Sequence, residues 1–419
     1  MTPARSPTTH PAGCYLTTRS PLLETLRQPN YRRYMMGNSV SLIGTWMQRV
    51  AVGWLAWELT RSGTWLGIVV FADLFPTVIF GPIGGVVADR VSPLMISRVT
   101  QAAAMVMAAI LWAMTAADVI NIYILTVLVF GQGAALGFGQ PARLALVYQL
   151  VSREHLSSAV AFNSVYFNLA RFVGPMLAGA ALVWNGAATA FGLNALSYIA
   201  FIIALLRIDV SSPPSSKRST DKQSMWSAVS EGARYSLHHA RIGPLLILAT
   251  LLAVAVRPYA ELLPGFADRV FGGGAAELAM MSSAVGLGAM IAGLRIANRA
   301  GSDLKLESVF ASAGIASVAV LAFALTDYLP LALLLLMVAG GAMVTTGVTV
   351  QTSMQLAVDT EFRARVMSLY GLMQRSGPAL GALFMGVAAD WFGLAWPGAA
   401  GAGVALALGA YYWHRLIAR

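Results

Sequence analysis

The 419-residue chain is 57% hydrophobic and only 11% charged, with a mean hydropathy of +0.68. Soluble globular domains carry about 25% charged residues, so this composition excludes a soluble protein and predicts an all-α polytopic membrane protein. The net charge of +10 is spread over short gaps between apolar runs, which argues against a nucleic-acid-binding face. The single cysteine, Cys14, excludes a disulfide framework and a thiolate metal cluster.

Residues 1–35 are expected to form a cytoplasmic N-terminal tail, because they contain no apolar stretch long enough for a signal peptide. A bilayer-spanning helix needs about 20 mostly apolar residues, and twelve such stretches follow. In the first half they are 36–58, 65–88, 94–116, 120–142, 157–183 and 187–207. In the second half they are 242–263, 277–297, 306–326, 329–352, 364–388 and 394–415.

These stretches predict two pseudo-symmetric six-helix bundles, at 36–207 and 242–415, with a short cytoplasmic tail at 416–419. Between the bundles, residues 208–241 are expected to be a cytoplasmic linker that starts with Pro, Ser and Lys. The linker ends in a predicted amphipathic helix that lies along the membrane surface. Its apolar side is formed by Trp226, Val229, Ala233 and Leu237.

Basic residues predict the orientation, because Lys and Arg are retained on the cytoplasmic side of a membrane. With a cytoplasmic N-terminus, 22 of the 28 Lys and Arg residues lie inside, including Arg143 in an early loop. Three lie outside, namely Arg61, Arg257 and Arg269. Both termini and the linker are therefore expected in the cytoplasm. The remaining three are Arg49, Arg171 and Arg375, which fall inside predicted helices.

A segment of the first half returns in the second. The sequence QLVSREHLSSAVAFNSVYFNLARFVGPMLAG at 149–179 is similar to QLAVDTEFRARVMSLYGLMQRSGPALG at 355–381. Glu154 and Glu361 are 207 positions apart, and Pro175 and Pro378 are 203 apart. Two similar halves of six helices are the architecture of transporters whose substrate site lies between the repeats.

The loop GGVVADR, with Gly85, Asp89 and Arg90, resembles the Gly-x-x-x-Asp-Arg signature of the major facilitator superfamily. The expected basic continuation is missing, since Val91-Ser92-Pro93-Leu94 stands there, which leaves any latch formed by the full motif in doubt. The segments at 140–179 and 361–372 resemble the branch of bacterial exporters that includes the enterobactin exporter.

The sequence Gly174-Pro175-x-x-x-Gly179 is also similar to a motif of antiporters in the superfamily. The resemblance implies efflux driven by proton entry, with predicted helices one, two, five and eleven around a central cavity. It also implies both termini in the cytoplasm of a bacterium and a protein of the inner membrane, which we expect to be monomeric.

We place four ionisable residues at membrane depth, namely Arg49, Asp73, Arg171 and Arg375. A charge at mid-membrane costs about 2.5 to 3.5 kcal/mol on insertion scales, so each is a candidate functional group. One hypothesis is that Arg171 and Arg375, at corresponding points of the repeats, bind an acidic substrate together with Arg49. The alternative is that Arg49 pairs with Asp73 and the other two bond backbone carbonyls freed near the prolines.

Asp73 is the only carboxylate that the sequence places inside the membrane, where burial favours the protonated form, so it is the first candidate for proton coupling. Glu58 is a second candidate, or an interfacial charge. Asp89, Glu154 and Glu361 start helices on the predicted cytoplasmic side. They either form a salt-bridged gate or cap the helix dipoles.

Pro175 and Pro378 each remove a helical hydrogen bond, and the neighbouring Gly174, Gly179 and Gly377 permit close packing. This pattern is explained equally well by a hinge between two bundles that rock against each other and by simple helix packing. Polar and aromatic residues at cavity depth are candidates for substrate contact, or for bonds between helices. They are Asn38, Trp46, Gln48, Gln132, Asn163, Tyr166, Asn168, Tyr370 and Gln374.

The sequence therefore predicts a proton-coupled exporter that moves an amphipathic, anionic metabolite such as a siderophore outwards. Its expected partners are this small molecule, protons and the lipid bilayer, without a cofactor or a metal. Broad-specificity drug efflux is the alternative transporter function. A membrane-embedded enzyme is disfavoured, because the five histidines lie in loops or tails and no Gly-x-Ser-x-Gly motif is present. A sensor or scaffold would not require the repeat.

Overall fold

The computed structural model describes residues 25, 27–209, 225–298 and 306–416. Most of the predicted tail 1–35, the linker residues 210–224 and the end of the tail 416–419 lie outside the described residues. Trp226 and Val229 lie in a described helix, but their side chains do not belong to the described part. Throughout the described residues the regular structure is helical, without a β-strand.

Six long helices of the first half fall within the described residues. They are α1 (Pro29–Thr60), α2 (Gly63–Ala88), α3 (Pro93–Ala116), α4 (Ile122–Leu150) and the segment Leu156–Leu206, which holds α5 and α6. The segment is broken at Asn185 and Gly186, which have non-helical backbone angles, so that α5 spans 156–184 and α6 spans 187–206. Gly186 has φ of +75°, a conformation that a side chain disfavours, and it allows the chain to reverse between the helices.

The second half starts after the linker helix α7 (Met225–His238). Its six helices are α8 (Ile242–Val270), α9 (Ala275–Asn298), α10 (Leu306–Ala324), α11 (Leu329–Ala357), α12 (Arg363–Phe392) and α13 (Ala395–Leu416). By length and hydropathy alone, eight helical segments of the described chain are able to cross a membrane, and Leu156–Leu206 is one segment holding two helices. The fold is that of an all-α polytopic membrane protein with twelve transmembrane helices, as the sequence predicts.

Two expected boundaries are wrong in a way that matters for function. The helix expected at 242–263 continues to Val270 through π-helical and 3₁₀ turns, so Arg257, which was counted among the outside residues, lies at the middle of α8. The helix expected at 120–142 continues to Leu150, so Arg143 lies within α4 and not in a loop. Charged residues lower the local hydropathy and so indicate a helix end, whereas both helices continue past these charges.

The same helix pairs pack together in both halves. In the first half α2 packs on α4, and α3 packs on α4 and on the α5–α6 segment; in the second half α9 packs on α11, and α10 packs on α11 and α13. The two halves meet through α2 against α12 and through the α5–α6 segment against α9. These two interfaces exchange under a two-fold rotation, which confirms the predicted pair of pseudo-symmetric six-helix bundles.

A buried network of amide and hydroxyl groups joins helices within the first half. The Gln48 amide donates to Gln132 Oε1 at 2.5 Å, Asn194 donates to Gln48 Oε1 at 2.6 Å, and Gln132 donates to the Tyr198 hydroxyl at 2.8 Å. Because these groups satisfy one another, Gln48 and Gln132 act as bonds between helices, one of the two roles expected from the sequence.

With twelve spans, α1 begins and α13 ends at the same end of the protein, here called the terminal end. The opposite end, with the α1–α2 loop, is called the loop end. There the Asp390 carboxylate accepts hydrogen bonds from Gly63 N at 2.6 Å, Thr64 N at 2.9 Å and Ser62 Oγ at 2.6 Å. These contacts hold α12 against the start of α2.

A second set of contacts at the loop end joins α1 to α8. Arg61 forms an ion pair with Asp268, and Trp57 Nε1 donates to Asp268 Oδ2 at 3.0 Å. The Arg269 guanidinium lies 4.8 Å from the Trp57 ring centroid. The hydrogen bonds and ion pairs found between the two halves of the described chain lie from mid-depth to the loop end. The structure is therefore closed at the loop end.

At the terminal end, the linker helix α7 is attached to the second half. Glu231 Oε2 lies 3.0 Å from Arg365 Nη1, and the Tyr235 hydroxyl donates to Asp359 Oδ2 at 2.8 Å. The Tyr235 ring stacks on Phe362 with centroids 4.3 Å apart. Removal from water and the hydrogen bond to Asp359 raise the pKa of Tyr235, so its hydroxyl remains a donor.

The closed loop end predicts that a side chain at Gly386 opens it. A Cβ at Gly386 would overlap the Gly63 carbonyl and lie 3.2 Å from the Gly67 Cα, so Gly386→Leu must separate α2 from α12. We expect spin labels at Asp118→Cys and Asp327→Cys, in a Cys14→Ser background, to report longer distances across the loop end. Gly403→Leu is the control, because its Cβ meets nothing within 4 Å. An unchanged distance for Gly386→Leu would contradict this interpretation.

The orientation in the bilayer remains a prediction from the charge bias, and labelling of single cysteines tests it. In a Cys14→Ser background, Asp118→Cys lies at the loop end and Ser152→Cys at the terminal end, and both positions are exposed. With the terminal end in the cytoplasm, a membrane-impermeant maleimide labels Asp118→Cys in intact bacteria, and labels Ser152→Cys only after permeabilisation. The opposite pattern would reverse the orientation.

Candidate functional site

A cluster of charged side chains lies at mid-depth between the two halves. At its centre is Arg49 of α1, whose Nη2 lies 3.0 Å from Glu261 Oε1 of α8 and donates a hydrogen bond to it. Arg49 Nε lies 3.9 Å from Asp73 Oδ2 of α2. The exposed fractions of these side chains are between 23% and 31%, so the three groups border an open space. One guanidinium is thus flanked by a carboxylate from each half.

The indole of Trp46 lies between two of the arginines. The Arg49 and Arg171 guanidinium carbons lie 5.5 Å and 5.7 Å from its ring centroid, within the range of cation–π attraction. Arg171 reaches this position because α5 approaches α1 at Gly174, where a Cβ would overlap the Trp46 Cβ. Gly174 is therefore required for close packing beside the cluster, which is one of the two roles expected from the sequence.

Arg257 of α8 completes the cluster. It lies within electrostatic range of Arg49, Glu261 and Tyr370, and its side chain is exposed. Within the described chain, neither Arg171 nor Arg257 has a carboxylate partner. With Arg49, Asp73 and Glu261 included, the cluster has three cations and two anions. It therefore has one surplus positive charge, on arginines that face the space between the halves.

Glu261 and Arg257 were not among the residues expected inside the membrane. Hydropathy placed the end of the helix at residue 263, shortly after them, because the four charges Arg257, Glu261, Asp268 and Arg269 interrupt the apolar run. The repeat contained a signal that would have located them. Arg49 and Arg257 are 208 positions apart, and so are Arg61 and Arg269, which places Arg257 at the depth of Arg49.

Arg375 differs from Arg171 in its position on the helix. Arg171 precedes Pro175 by four residues, whereas Arg375 precedes Pro378 by three, so Gln374 is the residue that corresponds to Arg171. One residue turns a side chain by about 100° around a helix. Arg375 is exposed and has no hydrogen bond or ion pair among the described residues. It lies two helical turns before Ala382, which packs on Gly67, and thus on the face of α12 that is turned toward α2.

The other cavity candidates lie toward the terminal end. Tyr370 is buried and donates to the Gly347 carbonyl at 3.2 Å, and Asn168 donates to the Ser164 carbonyl at 2.8 Å. Asn163 is exposed, whereas Tyr166 and Gln374 are half-buried. Their only described hydrogen bonds are within their own half, which leaves them able to contact a ligand.

The residues predicted to form a gate are not paired in this structure. Asp89 and Arg90 are exposed, as are Glu154 and Glu361, and none of the four forms an ion pair within the described chain. Gly85 precedes them in the last turn of α2. Unpaired charges on both halves agree with a terminal end that is not closed by polar contacts.

The remaining candidates have packing contacts or lie away from the cluster. Gly179 of α5 approaches Ala279 of α9 across the halves, and Gly377 of α12 approaches Ala253 of α8. Pro175 and Pro378 are buried within their helices. Glu58 is exposed near the loop end, as expected for an interfacial charge.

An apolar groove of about 860 Å³ lies between α5 and α9, and Phe172, Met176 and Met280 contribute to its walls. None of the charged cluster lines it. An apolar surface on membrane-spanning helices is expected to face hydrocarbon, so we assign this groove to the lipid boundary and not to the polar site.

Known transporters resemble this chain over most of its length. A curated staphyloferrin A transporter of Staphylococcus aureus is 24% identical over 86% of this chain and 90% of that protein. The enterobactin exporter EntS of Citrobacter koseri is 25% identical over 87% of this chain and 86% of that protein. The solved structure of the nucleoside transporter NupG has a TM-score of 0.69 and 16% identity, and covers 93% of this chain and 99% of that one.

The family model described as transmembrane secretion effector matches residues 20–418. This match spans all twelve transmembrane helices and both halves of the charged cluster. The chain belongs to this transmembrane secretion effector family, an exporter branch of the major facilitator superfamily, and it is a multi-pass membrane transporter rather than an enzyme.

Proposed function

We propose that this protein is a proton-coupled exporter that moves an amphipathic, anionic metabolite of the siderophore class out across the bacterial inner membrane. The observation that carries the proposal is a pair of arginines at mid-depth between the halves, Arg171 and Arg257, which have no carboxylate partner among the described residues. A guanidinium binds carboxylates and similar planar anions through two parallel hydrogen bonds. Two of the curated relatives are named for siderophores, which supports this substrate class.

The proposed cycle is alternating access. In this structure the loop end is closed by Asp390 and Asp268, so the substrate enters from the terminal end, which faces the cytoplasm in the proposed orientation. It binds beside Trp46, where an aromatic or apolar portion packs against the indole while the anionic portion meets the arginines. Opening of the loop end then requires the contacts of Asp268 and Asp390 to break.

We propose that two carboxylates beside Arg49 take part in proton coupling. One is Asp73, which the sequence predicts for this role, and the other is Glu261. Protonation of either one removes a negative charge from the cluster and releases its hold on Arg49. The membrane potential, negative inside, drives an anion outward with about 2.3 kcal/mol per charge for every 100 mV. The membrane potential and proton entry therefore act in the same direction in this proposal.

We propose that a single protomer performs the cycle, since both halves of the site come from one chain.

Broad-specificity drug efflux is the second candidate function. A site for cationic drugs needs a surplus of carboxylates, whereas this cluster has three arginines and two carboxylates. The charge of the cluster therefore favours an anion. Measuring the transport of an anionic metabolite and of a cationic drug by the same protein decides between the two functions.

Transport into inside-out vesicles tests the proposal. Energised vesicles that contain the protein are expected to accumulate enterobactin or staphyloferrin A, and not ethidium. Arg171→Ala should lower the initial rate at least tenfold, because a buried guanidinium–anion contact is lost. Arg295→Ala, which removes an exposed arginine near the terminal end of α9, is the matched control. Size-exclusion chromatography in detergent verifies that each variant is folded.

Collapse of the proton gradient with nigericin and of the potential with valinomycin separates the driving forces. Accumulation that is insensitive to nigericin rejects proton coupling. Accumulation of ethidium without the two siderophores rejects the substrate class in favour of drug efflux.

A further inference from the structure

We infer that Glu261 is a resident anion: it occupies Arg49 in place of a ligand carboxylate and thereby sets the number of negative charges that the substrate presents to the site. This inference rests on the proposed function, because it takes the charged cluster to be the substrate site. Beyond the proposed function, the inference names a residue that determines specificity and states the charge of the ligand that this residue selects.

The geometry distinguishes Glu261 from Asp73. Glu261 Oε1 accepts a hydrogen bond from Arg49 Nη2 at 3.0 Å, the distance and partner expected of a bound carboxylate. Asp73 Oδ2 lies 3.9 Å from Arg49 Nε and forms no hydrogen bond with it. Asp73 therefore contributes mainly its charge, whereas Glu261 occupies the donor atom that a substrate would otherwise use.

Glu261 belongs to the opposite half from Arg49. The two residues lie 212 positions apart, on α1 and α8, and their hydrogen bond joins the halves at the depth of Trp46. A ligand that reached Arg49 would have to displace Glu261 and break this connection. Arg171 and Arg257, which have no carboxylate partner among the described residues, are reached without such a displacement.

The charge count then defines the ligand. Glu261 and Asp73 together exceed the charge of Arg49 by one negative charge. Arg171 and Arg257 add two positive charges, so the cluster as a whole has one surplus positive charge. A ligand group with one negative charge neutralises the site completely. A second negative charge on the ligand would make the net charge of the site negative, and it is repelled by Glu261. The inferred ligand thus presents one anionic group, next to an aromatic or apolar portion that meets Trp46.

Removal of the Glu261 charge should change this preference. Glu261→Gln keeps the shape of the side chain and raises the surplus charge by one. It also weakens the hydrogen bond from Arg49 Nη2, because a neutral amide oxygen is a weaker acceptor than a carboxylate, so a ligand anion displaces it more readily. We use benzoate and phthalate as probes, which share an aromatic ring and carry one and two negative charges. Their dissociation constants are measured by isothermal titration with the purified full-length protein in detergent.

The expected result is an increase of about tenfold in the preference for phthalate over benzoate in Glu261→Gln, since one charge at close range changes the dianion affinity more than the monoanion affinity. The double variant Arg49→Gln/Glu261→Gln retains the surplus charge of the wild type and should retain its preference. Glu307→Gln, an exposed residue of α10, is the matched control with no expected change.

An unchanged preference in Glu261→Gln overturns the inference, as does absence of binding of either probe to the wild-type protein. Should Glu261→Gln fail to fold, the double variant is compared with Arg49→Gln, which lowers the surplus charge by one. A weaker phthalate preference in Arg49→Gln than in the double variant supports the inference, and equal preferences overturn it. Binding in detergent requires no transport, so a wild-type protein that exports no siderophore while showing the predicted shifts rejects the proposed function and leaves this inference standing.

Discussion

The arrangement of the site depends on one constraint, which is the free energy of placing a charge at the middle of a membrane. That free energy is several kcal/mol for a single unpaired group. Arg49 meets the constraint through Glu261 and Asp73, which approach it from α8 and α2, so the neutralising charges come from both halves. Since a buried charge that loses its partner destabilises a protein strongly, this ion pair links the relative position of the halves to the charge state of the site.

The helix packing places this pair between the two halves. The two interfaces between the halves, α2 with α12 and α5 with α9, pass on either side of the cluster and contain closely packed glycines. Gly67 and Gly386 bring α2 against α12 toward the loop end, and Gly174 brings α5 against α1 beside Trp46. Small residues let helices slide or rock without large side chains to repack, which suits two bundles that move as bodies.

The charged cluster and the contacts of Asp268 at the loop end lie along the same two helices, α1 and α8. Trp57 lies two turns beyond Arg49 on α1, Arg61 directly follows the end of α1, and Asp268 lies two turns beyond Glu261 on α8. The helices that carry the central ion pair therefore also carry the contacts that close the loop end. In the proposed cycle, a change in the Arg49 pairing is transmitted along α1 and α8 as rigid elements, without a chain of intermediate side chains.

Much of this protein was determined by sequence alone. Composition requires a membrane protein, because so few charges leave too little polar surface for water, and the spacing of apolar runs determines twelve helices. The repeat, with Pro175 and Pro378 in register, predicts two related halves and places Arg171 near their boundary. These features are local or periodic, so they are visible without contacts.

Only the tertiary structure decided which charges meet. Arg49 and Glu261 are 212 residues apart, and hydropathy treats Arg257 and Glu261 as the end of a helix because it does not register a neutralising partner from another segment. The rotation of Arg375 away from the position of Arg171 depends on a single residue of register, which an approximate repeat does not resolve. Sequence determines how many helices cross and where charges fall along them, whereas the packing of the two halves determines which of those charges form ion pairs.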